Sequence, residues 1–102
     1  DEVWMMENAV YSILSPEGFS SILWKDSKRA KEAADSMKLT AADLKKAGIV
    51  ERVFEEPAHF SKDHMEDVAE VLRSQIDQFL LKYGSMDSIE LCEHRYQRFR
   101  KY

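Results

Sequence analysis

The sequence predicts an α/β chain in which a few strands are outnumbered by helices. Short runs that start near residues 3 and 10 are rich in apolar and β-branched residues, as strands are. Residues 61–84 instead repeat apolar side chains every three or four positions, which is the spacing of an amphipathic helix. Residues that favour helix starts recur between these regions, at Ser15 and Thr40. Because apolar and polar residues do not alternate along these strands, we expect both faces of the sheet to be covered by helices.

The first elements are two strands, at residues 3–6 and 10–14, and a helix that begins after Ser15. The Ser15 hydroxyl can cap this helix, Pro16 fits its first position, and Glu17 places a negative charge in the positive first turn. A second helix, from about residue 26 to 37, is expected to pack closely through small residues. The expected apolar faces comprise Phe19, Ile22 and Leu23 in the first helix, and Ala30, Ala33, Ala34 and Met37 in the second.

Later elements follow from capping residues and periodicity. Thr40 and Asp43 form a variant capping box, which marks a helix start. Gly48 is typical of the position just past a helix end, so a short helix is predicted between Thr40 and Gly48. A strand at residues 49–54 precedes the long amphipathic helix, and a last helix begins near residue 87. The long helix has the apolar stripe Met65, Val68, Ala69, Leu72, Ile76, Phe79, Leu80 and Tyr83. The last helix has Ile89, Cys92, Tyr96 and Phe99, of which Cys92, Tyr96 and Phe99 are predicted to lie in the core, as are Trp4, Trp24 and Phe79.

Composition narrows the class of protein. Hydrophobic residues are 44% of the 102 residues and charged residues 33%, which excludes a disordered or fibrous chain. This length has room for one small domain, so residues 1–102 are predicted to form a single segment. The net charge of −4 disfavours a nucleic-acid surface. Since the chain opens at Asp1 without an initiator Met and runs directly into apolar residues, we expect the C-terminal piece of a longer protein.

Metal binding and membrane insertion are not predicted. The residues that could ligate a metal, His59, His64, Cys92 and His94, lack the spacing of metal sites. No apolar run approaches the roughly 20 residues of a membrane span, and no charged and apolar leader is present. A single cysteine cannot form an internal disulfide and fits a reducing compartment, so we expect the cytoplasm.

Three blocks of the sequence carry a family resemblance. The run VWMMENAVYSILSPEGFSSILWKD at residues 3–26 closely resembles the carboxyltransferase alpha subunit of bacterial acetyl-CoA carboxylase, a family of the crotonase superfamily. The run TAADLKKAGIVERVF at residues 40–54 is similar to the wider superfamily, and RYQRFR at residues 95–100 is similar to the family's C-terminal helix. The chain departs from the family after Pro57, where the usual Leu-Gly-Gly-Ala-His stretch is replaced by Ala58, His59 and Phe60. The resemblance implies the C-terminal portion of a crotonase-like (ClpP/crotonase) fold.

The resemblance also implies an activity and partners. The parent enzyme would transfer a carboxyl group from carboxybiotin to acetyl-CoA and form malonyl-CoA for fatty-acid biosynthesis, within an ATP-dependent complex. Its partners would be a carboxyltransferase beta subunit, in an α2β2 assembly, and the biotin carboxyl carrier protein. No cofactor or metal is expected to bind this chain directly. The oxyanion-stabilising N–H groups of the family come from a Gly-rich loop upstream of residue 1, so no catalytic residue is assigned here and the isolated chain is expected to be inactive.

The candidate site residues are Ser15, Pro16, Glu17 and Gly18, which the resemblance assigns to the wall of the biotin pocket. A strand that runs into a helix start is where α/β enzymes bind ligands, and Gly18 would allow a ligand to approach closely. An ordinary helix start explains the same residues. Two other functions stay open: a hydratase or isomerase of the superfamily with Glu17 as acid or base, and a non-catalytic helical interaction module.

Overall fold

The computed structural model describes residues 1–102, and most of them lie in helices. Two strands, β1 (Trp4–Met6) and β2 (Arg52–Phe54), flank the first three helices in sequence. The α-helices are α1 (Pro16–Trp24), α2 (Ala30–Met37), α3 (Ala41–Lys46), α4 (Met65–Gly84) and α5 (Ser88–Arg100). Short 3-10 turns at Ser27–Arg29 and Lys62–His64 lead into α2 and α4. The predicted helical majority with few strands is confirmed.

The two strands form a small parallel sheet. Trp4 lies opposite Arg52 and Met6 opposite Phe54. Further main-chain bonds extend the pairing at both ends, from the Glu51 N–H to the Val3 carbonyl at 2.9 Å and from the Glu7 N–H to the Phe54 carbonyl at 2.8 Å. Parallel strands need a long crossover, and α1, α2 and α3 supply it here.

The predicted strand at residues 10–14 is wrong. Val10 makes only an isolated antiparallel bridge to Thr40, and the following residues bend away. The Ser12 hydroxyl donates to the Leu14 carbonyl at 2.8 Å and accepts from the Leu14 N–H at 3.2 Å. This local bonding satisfies backbone groups that a strand would have paired with a neighbour, so apolar composition alone did not produce a strand.

The contacts divide the chain into two compact units. The N-terminal unit comprises residues 2–56, and the C-terminal unit comprises residue 1 with residues 57–102. That residues 1–102 form a single segment, as their length suggests, stays a prediction. The core of the N-terminal unit contains Met5, Ala41, Leu44 and Val50, all at most 9% exposed. It therefore lies between β1, α3 and the residues that enter β2.

α1 packs against α2 through small side chains. Ser20 and Ala33 are both fully buried, and the Ser20 hydroxyl donates to the Glu17 carbonyl at 3.1 Å, so its burial leaves no unmet donor. The small-residue face predicted for α2 is confirmed. The stripe predicted for α1 is wrong, because Ile22 and Leu23 are 65% and 60% exposed. The side chains of the predicted apolar stripe are therefore largely in solvent, and the buried residue of α1 is Ser20.

Trp24 at the end of α1 is partly covered by its neighbours. Its ring meets Phe19 edge to face at a centroid distance of 6.0 Å, and the Arg29 guanidinium lies 4.2 Å from the ring centroid. Arg29 also donates two hydrogen bonds to the Glu32 carboxylate, at 2.8 and 2.6 Å. This hydrogen-bonded guanidinium lowers the pKa of Glu32 from its ordinary value.

Two lysines end helices in the left-handed conformation that favours glycine. Lys25 follows α1 with φ 54°, and Lys38 follows α2 with φ 52°. The Cβ atom makes this conformation costly, so we expect Lys25→Gly and Lys38→Gly each to raise the free energy of unfolding by about 1 kcal/mol. Chemical denaturation measures this. Ala34→Gly, in the interior of α2, is the control and should lower stability by about 1 kcal/mol; stabilisation by all three changes would contradict the explanation.

α3 begins after Thr40 and ends before Gly48, as predicted, but the capping box is incomplete: the Asp43 carboxylate accepts from the Thr40 hydroxyl at 2.8 Å and not from the Thr40 N–H. The Thr40 hydroxyl accepts from the Asp43 N–H at 3.2 Å. At the other end, Gly48 has φ 75°, and the N–H groups of Gly48 and Ile49 donate to the carbonyls of Lys45 and Leu44 at 3.0 and 2.9 Å. This Schellman closure turns the chain back so that the residues after α3 lead into β2.

The C-terminal unit consists mainly of α4 and α5. α4 follows the predicted long helix closely, and Asp87 starts α5 by accepting from the N–H groups of Ile89 and Glu90 at 2.8 and 2.9 Å. None of the helices combines the length and the apolar composition that a membrane crossing requires.

The predicted burial of the α5 apolar residues is wrong. Cys92 is exposed, and Tyr96 and Phe99 are 55% and 62% exposed. The buried residue of α5 is Arg98 instead, at 9% exposed. Trp4, Trp24 and Phe79, which were also expected in the core, are only half-buried.

Candidate functional site

The four candidate site residues lie together at the start of α1. Ser15 is the N-cap: its hydroxyl oxygen accepts from the Gly18 N–H at 3.1 Å, and its carbonyl accepts from the Phe19 N–H at 2.9 Å. Pro16 occupies the first helical position and has no N–H to offer. The helix itself therefore leaves the Glu17 N–H as the first-turn donor that an external group can meet.

Gly18 is not required by packing. A Cβ atom built on it would lie 3.5 Å from the Ser15 hydroxyl oxygen and 4.0 Å from Leu14 Cδ2, which are ordinary contacts. Its φ is not positive either, so a larger residue would meet no backbone strain. Glycine in a helix costs roughly 0.5–1 kcal/mol relative to alanine. A glycine that the fold does not need is consistent with a ligand that approaches this turn.

Apolar side chains surround the capped turn and are open to solvent. Ile13 is 96% exposed, Leu14 39% and Ile22 65%. Leu14, just before α1, lies next to Gly18, and Ile22 follows Gly18 by about one helical turn. These three residues therefore form a row on one side of the helix start. We call Leu14, Gly18 and Ile22 the α1 strip. The sequence contained this signal, since apolar residues directly precede the Ser15 cap, but the strand prediction assigned them to a sheet.

The side chain of Glu17 is exposed to solvent. The Glu17 carbonyl, by contrast, accepts from the hydroxyls of Ser20 and Ser21 at 3.1 and 2.8 Å and belongs to the helix. No group of three or more His, Cys, Asp or Glu side chains is arranged to hold a metal ion. The arrangement can bind a ligand that has an apolar body and a hydrogen-bond acceptor for the Glu17 N–H.

Comparison with known proteins gives one consistent result. Residues 1–102 match the family described as acetyl co-enzyme A carboxylase carboxyltransferase-like. The chain is 49% identical over 102 residues to the acetyl-coenzyme A carboxylase carboxyl transferase subunit alpha of Streptococcus uberis, covering 100% of this chain and 38% of that protein. It is 52% identical over 101 residues to the subunit alpha of Clostridium acetobutylicum, covering 99% of this chain and 37% of that protein.

A third relative has a different organisation. The chain is 46% identical over 100 residues to a protein of Natranaerobius thermophilus named acetyl-coenzyme A carboxylase carboxyl transferase subunits beta/alpha, covering 98% of this chain and 16% of that protein. The chain thus spans well under half the length of each of these relatives.

Proposed function

This chain belongs to the acetyl-CoA carboxylase carboxyltransferase-like family, and from that premise we propose that it works as part of a carboxyltransferase alpha subunit. The proposed reaction moves a carboxyl group from carboxybiotin to acetyl-CoA and forms malonyl-CoA. The observation that carries the proposal is the identity of about half the residues over the whole chain to proteins of that name. We place the enzyme in the cytoplasm and propose a crotonase-like fold for the complete domain, of which β1, β2 and the helices form the C-terminal portion.

Within that enzyme we propose that Ser15, Pro16, Glu17 and Gly18 form a wall of the biotin pocket. The bicyclic ring of biotin has an apolar part and a ureido carbonyl that accepts hydrogen bonds. The α1 strip can cover the first, and the Glu17 N–H at the positive helix start can donate to the second. The role of the wall is to bind and orient, because a pocket that fixes the carboxyl donor against the acceptor lowers the entropic part of the barrier.

The donors that stabilise developing negative charge are proposed to come from a Gly-rich loop outside residues 1–102. Such donors matter, since loss of one costs on the order of 10²–10³ in rate in a well-studied protease. We further propose a beta subunit as partner in an α2β2 assembly and the biotin carboxyl carrier protein as the source of carboxybiotin. The Natranaerobius thermophilus relative supports the first partner, because its name joins beta and alpha subunits in one protein.

A segment exchange tests the proposed function. The matching 102 residues of the Streptococcus uberis alpha subunit are replaced by this chain, and the hybrid is purified with the beta subunit of that organism. We expect malonyl-CoA to form from carboxybiotin and acetyl-CoA, whereas the isolated chain mixed with the beta subunit should form none. A hybrid that folds and assembles but transfers no carboxyl group would reject the proposal.

Glu17→Gln in the same hybrid separates this function from a hydratase or isomerase. The wall role uses the main-chain N–H of Glu17, which the substitution keeps, so carboxyl transfer should change little. A large loss of enoyl-CoA hydration on the same substitution would instead identify the Glu17 carboxylate as an acid or base.

A further inference from the structure

The main chain just before α1 is irregular but is anchored on both sides. On the upstream side, the Tyr11 N–H donates to the Leu39 carbonyl at 3.1 Å. On the downstream side, the Ser15 hydroxyl caps α1. Between these anchors the chain bends at residues 13–14, so the conformation of this bend decides where the Leu14 side chain lies.

The Ser12 hydroxyl holds both main-chain polar groups of Leu14. It donates to the Leu14 carbonyl at 2.8 Å and accepts from the Leu14 N–H at 3.2 Å. A hydroxyl has one proton and two lone pairs, so a single serine can make both bonds at once. Together the two bonds fix the peptide units on either side of the Leu14 Cα atom, and thus the direction of its Cα–Cβ bond.

Leu14 in turn borders the open space over Gly18. Its Cδ2 atom lies 4.0 Å from the position that a Cβ atom on Gly18 would take. A rotation of the peptide units around Leu14 would move this side chain across the glycine or away from it. The shape of the α1 strip therefore depends on the two bonds that Ser12 makes.

Both bonds lie at the surface of the N-terminal unit. Ser12 is exposed, and Leu14 is 39% exposed. If the hydroxyl is removed, water can bind the Leu14 N–H and carbonyl, so the change leaves no buried polar group without a partner. We therefore expect loss of the hydroxyl to release the bend without unfolding the unit around it.

We propose that Ser12 is a positioning residue for the carboxybiotin pocket and that it acts through Leu14. This role rests on the proposed carboxyltransferase function, in which residues 15–18 form a wall of that pocket. A wall that already has its bound conformation saves the free energy of ordering it, and the saving is seen as tighter binding. Because the α1 strip is assigned to biotin, the effect falls on carboxybiotin and not on acetyl-CoA.

Ser12→Ala in the hybrid enzyme tests this role by kinetics. We expect KM for carboxybiotin to rise about tenfold, while kcat and KM for acetyl-CoA change by less than about twofold. Ser12→Thr keeps the hydroxyl and should restore most of the affinity for carboxybiotin. Ser36→Ala is the matched control, because the exposed Ser36 hydroxyl also donates to a main-chain carbonyl, that of Glu32 at 3.0 Å, but lies in α2. It should leave all three constants unchanged.

Amide exchange in the same hybrid gives a readout that does not depend on activity. Ser12→Ala should speed deuterium exchange at the Leu14 N–H, whose acceptor is lost, and Ser36→Ala should not. Mass spectrometry of peptides that span residues 10–15 measures this. The urea midpoint of the hybrid should stay the same in both variants.

The outcomes separate this role from the proposed function. If the unmodified hybrid transfers carboxyl groups and Ser12→Ala keeps its KM for carboxybiotin, Ser12 does not position the pocket, and the proposed function stands. A rise in both KM values together with a lower urea midpoint would show general loss of structure and would also overturn the role of Ser12. A folded hybrid that transfers no carboxyl group, even unmodified, would reject both.

Discussion

Leu44→Ala is expected to lower the free energy of unfolding of the N-terminal unit by about 2–5 kcal/mol. Leu44 is 9% exposed and belongs to the core cluster with Met5, Ala41 and Val50. Its truncation removes buried methyl groups and leaves a cavity that these neighbours can fill only in part. A unit of this size has a stability of only a few kcal/mol, so the change should unfold much of it near physiological temperature.

The control for this prediction is Leu23→Ala, in the same unit. Leu23 is 60% exposed, so the same chemical change should alter stability by less than about 0.5 kcal/mol. Urea unfolding followed by far-ultraviolet circular dichroism measures both. Similar losses for the two variants would show that the cluster around Leu44 is not the core that holds this unit together.

Gly18→Leu is expected to reduce carboxyl transfer by the hybrid enzyme on the order of 10²-fold in kcat/KM, because a displacement near 1 Å in a bound reactant can cost that much. The leucine side chain would extend from the α1 strip into the space that we assign to biotin. The fold should tolerate it, since a Cβ atom at this position makes only ordinary contacts, at 3.5 and 4.0 Å.

Two controls separate occupation of the pocket from damage to the helix. Gly18→Ala adds only the Cβ atom and should raise the free energy of unfolding by up to about 1 kcal/mol while retaining most of the activity. Gly84→Leu lies at the end of α4, where a Cβ atom meets nothing within 4 Å, and should leave carboxyl transfer unchanged. Full activity of Gly18→Leu would show that the start of α1 does not line the biotin pocket.

The helices were predictable because their signals are local. Ser15, Thr40 and Asp87 cap the helices that their side chains predict, and Gly48 ends α3 in the expected conformation. These residues act through bonds to groups two or three positions away, which the sequence displays directly.

Burial was less predictable because it depends on partners far along the chain. The apolar pattern of α1 and α5 identified a stripe in each, but it did not identify which neighbour packs on which face. In α1 the residue that is buried is Ser20, and in α5 the His94 ring meets the Tyr83 ring of α4. Ile22, Tyr96 and Phe99 stay exposed. The family resemblance located the candidate site. That the Glu17 N–H is the first-turn donor left for a ligand became clear only from the hydrogen bond between the Gly18 N–H and the Ser15 hydroxyl.

The parallel pairing of β1 with β2 also constrains how the N-terminal unit folds. Val3 and Glu51, which are bonded next to the paired strands, lie 48 residues apart, so closing this loop costs roughly 3 kcal/mol of chain entropy before any strand contact forms. The helices between them have mainly local contacts and can form earlier. The strand amides should therefore exchange with deuterium only when the whole unit opens, while those at the end of α5 exchange by local fraying.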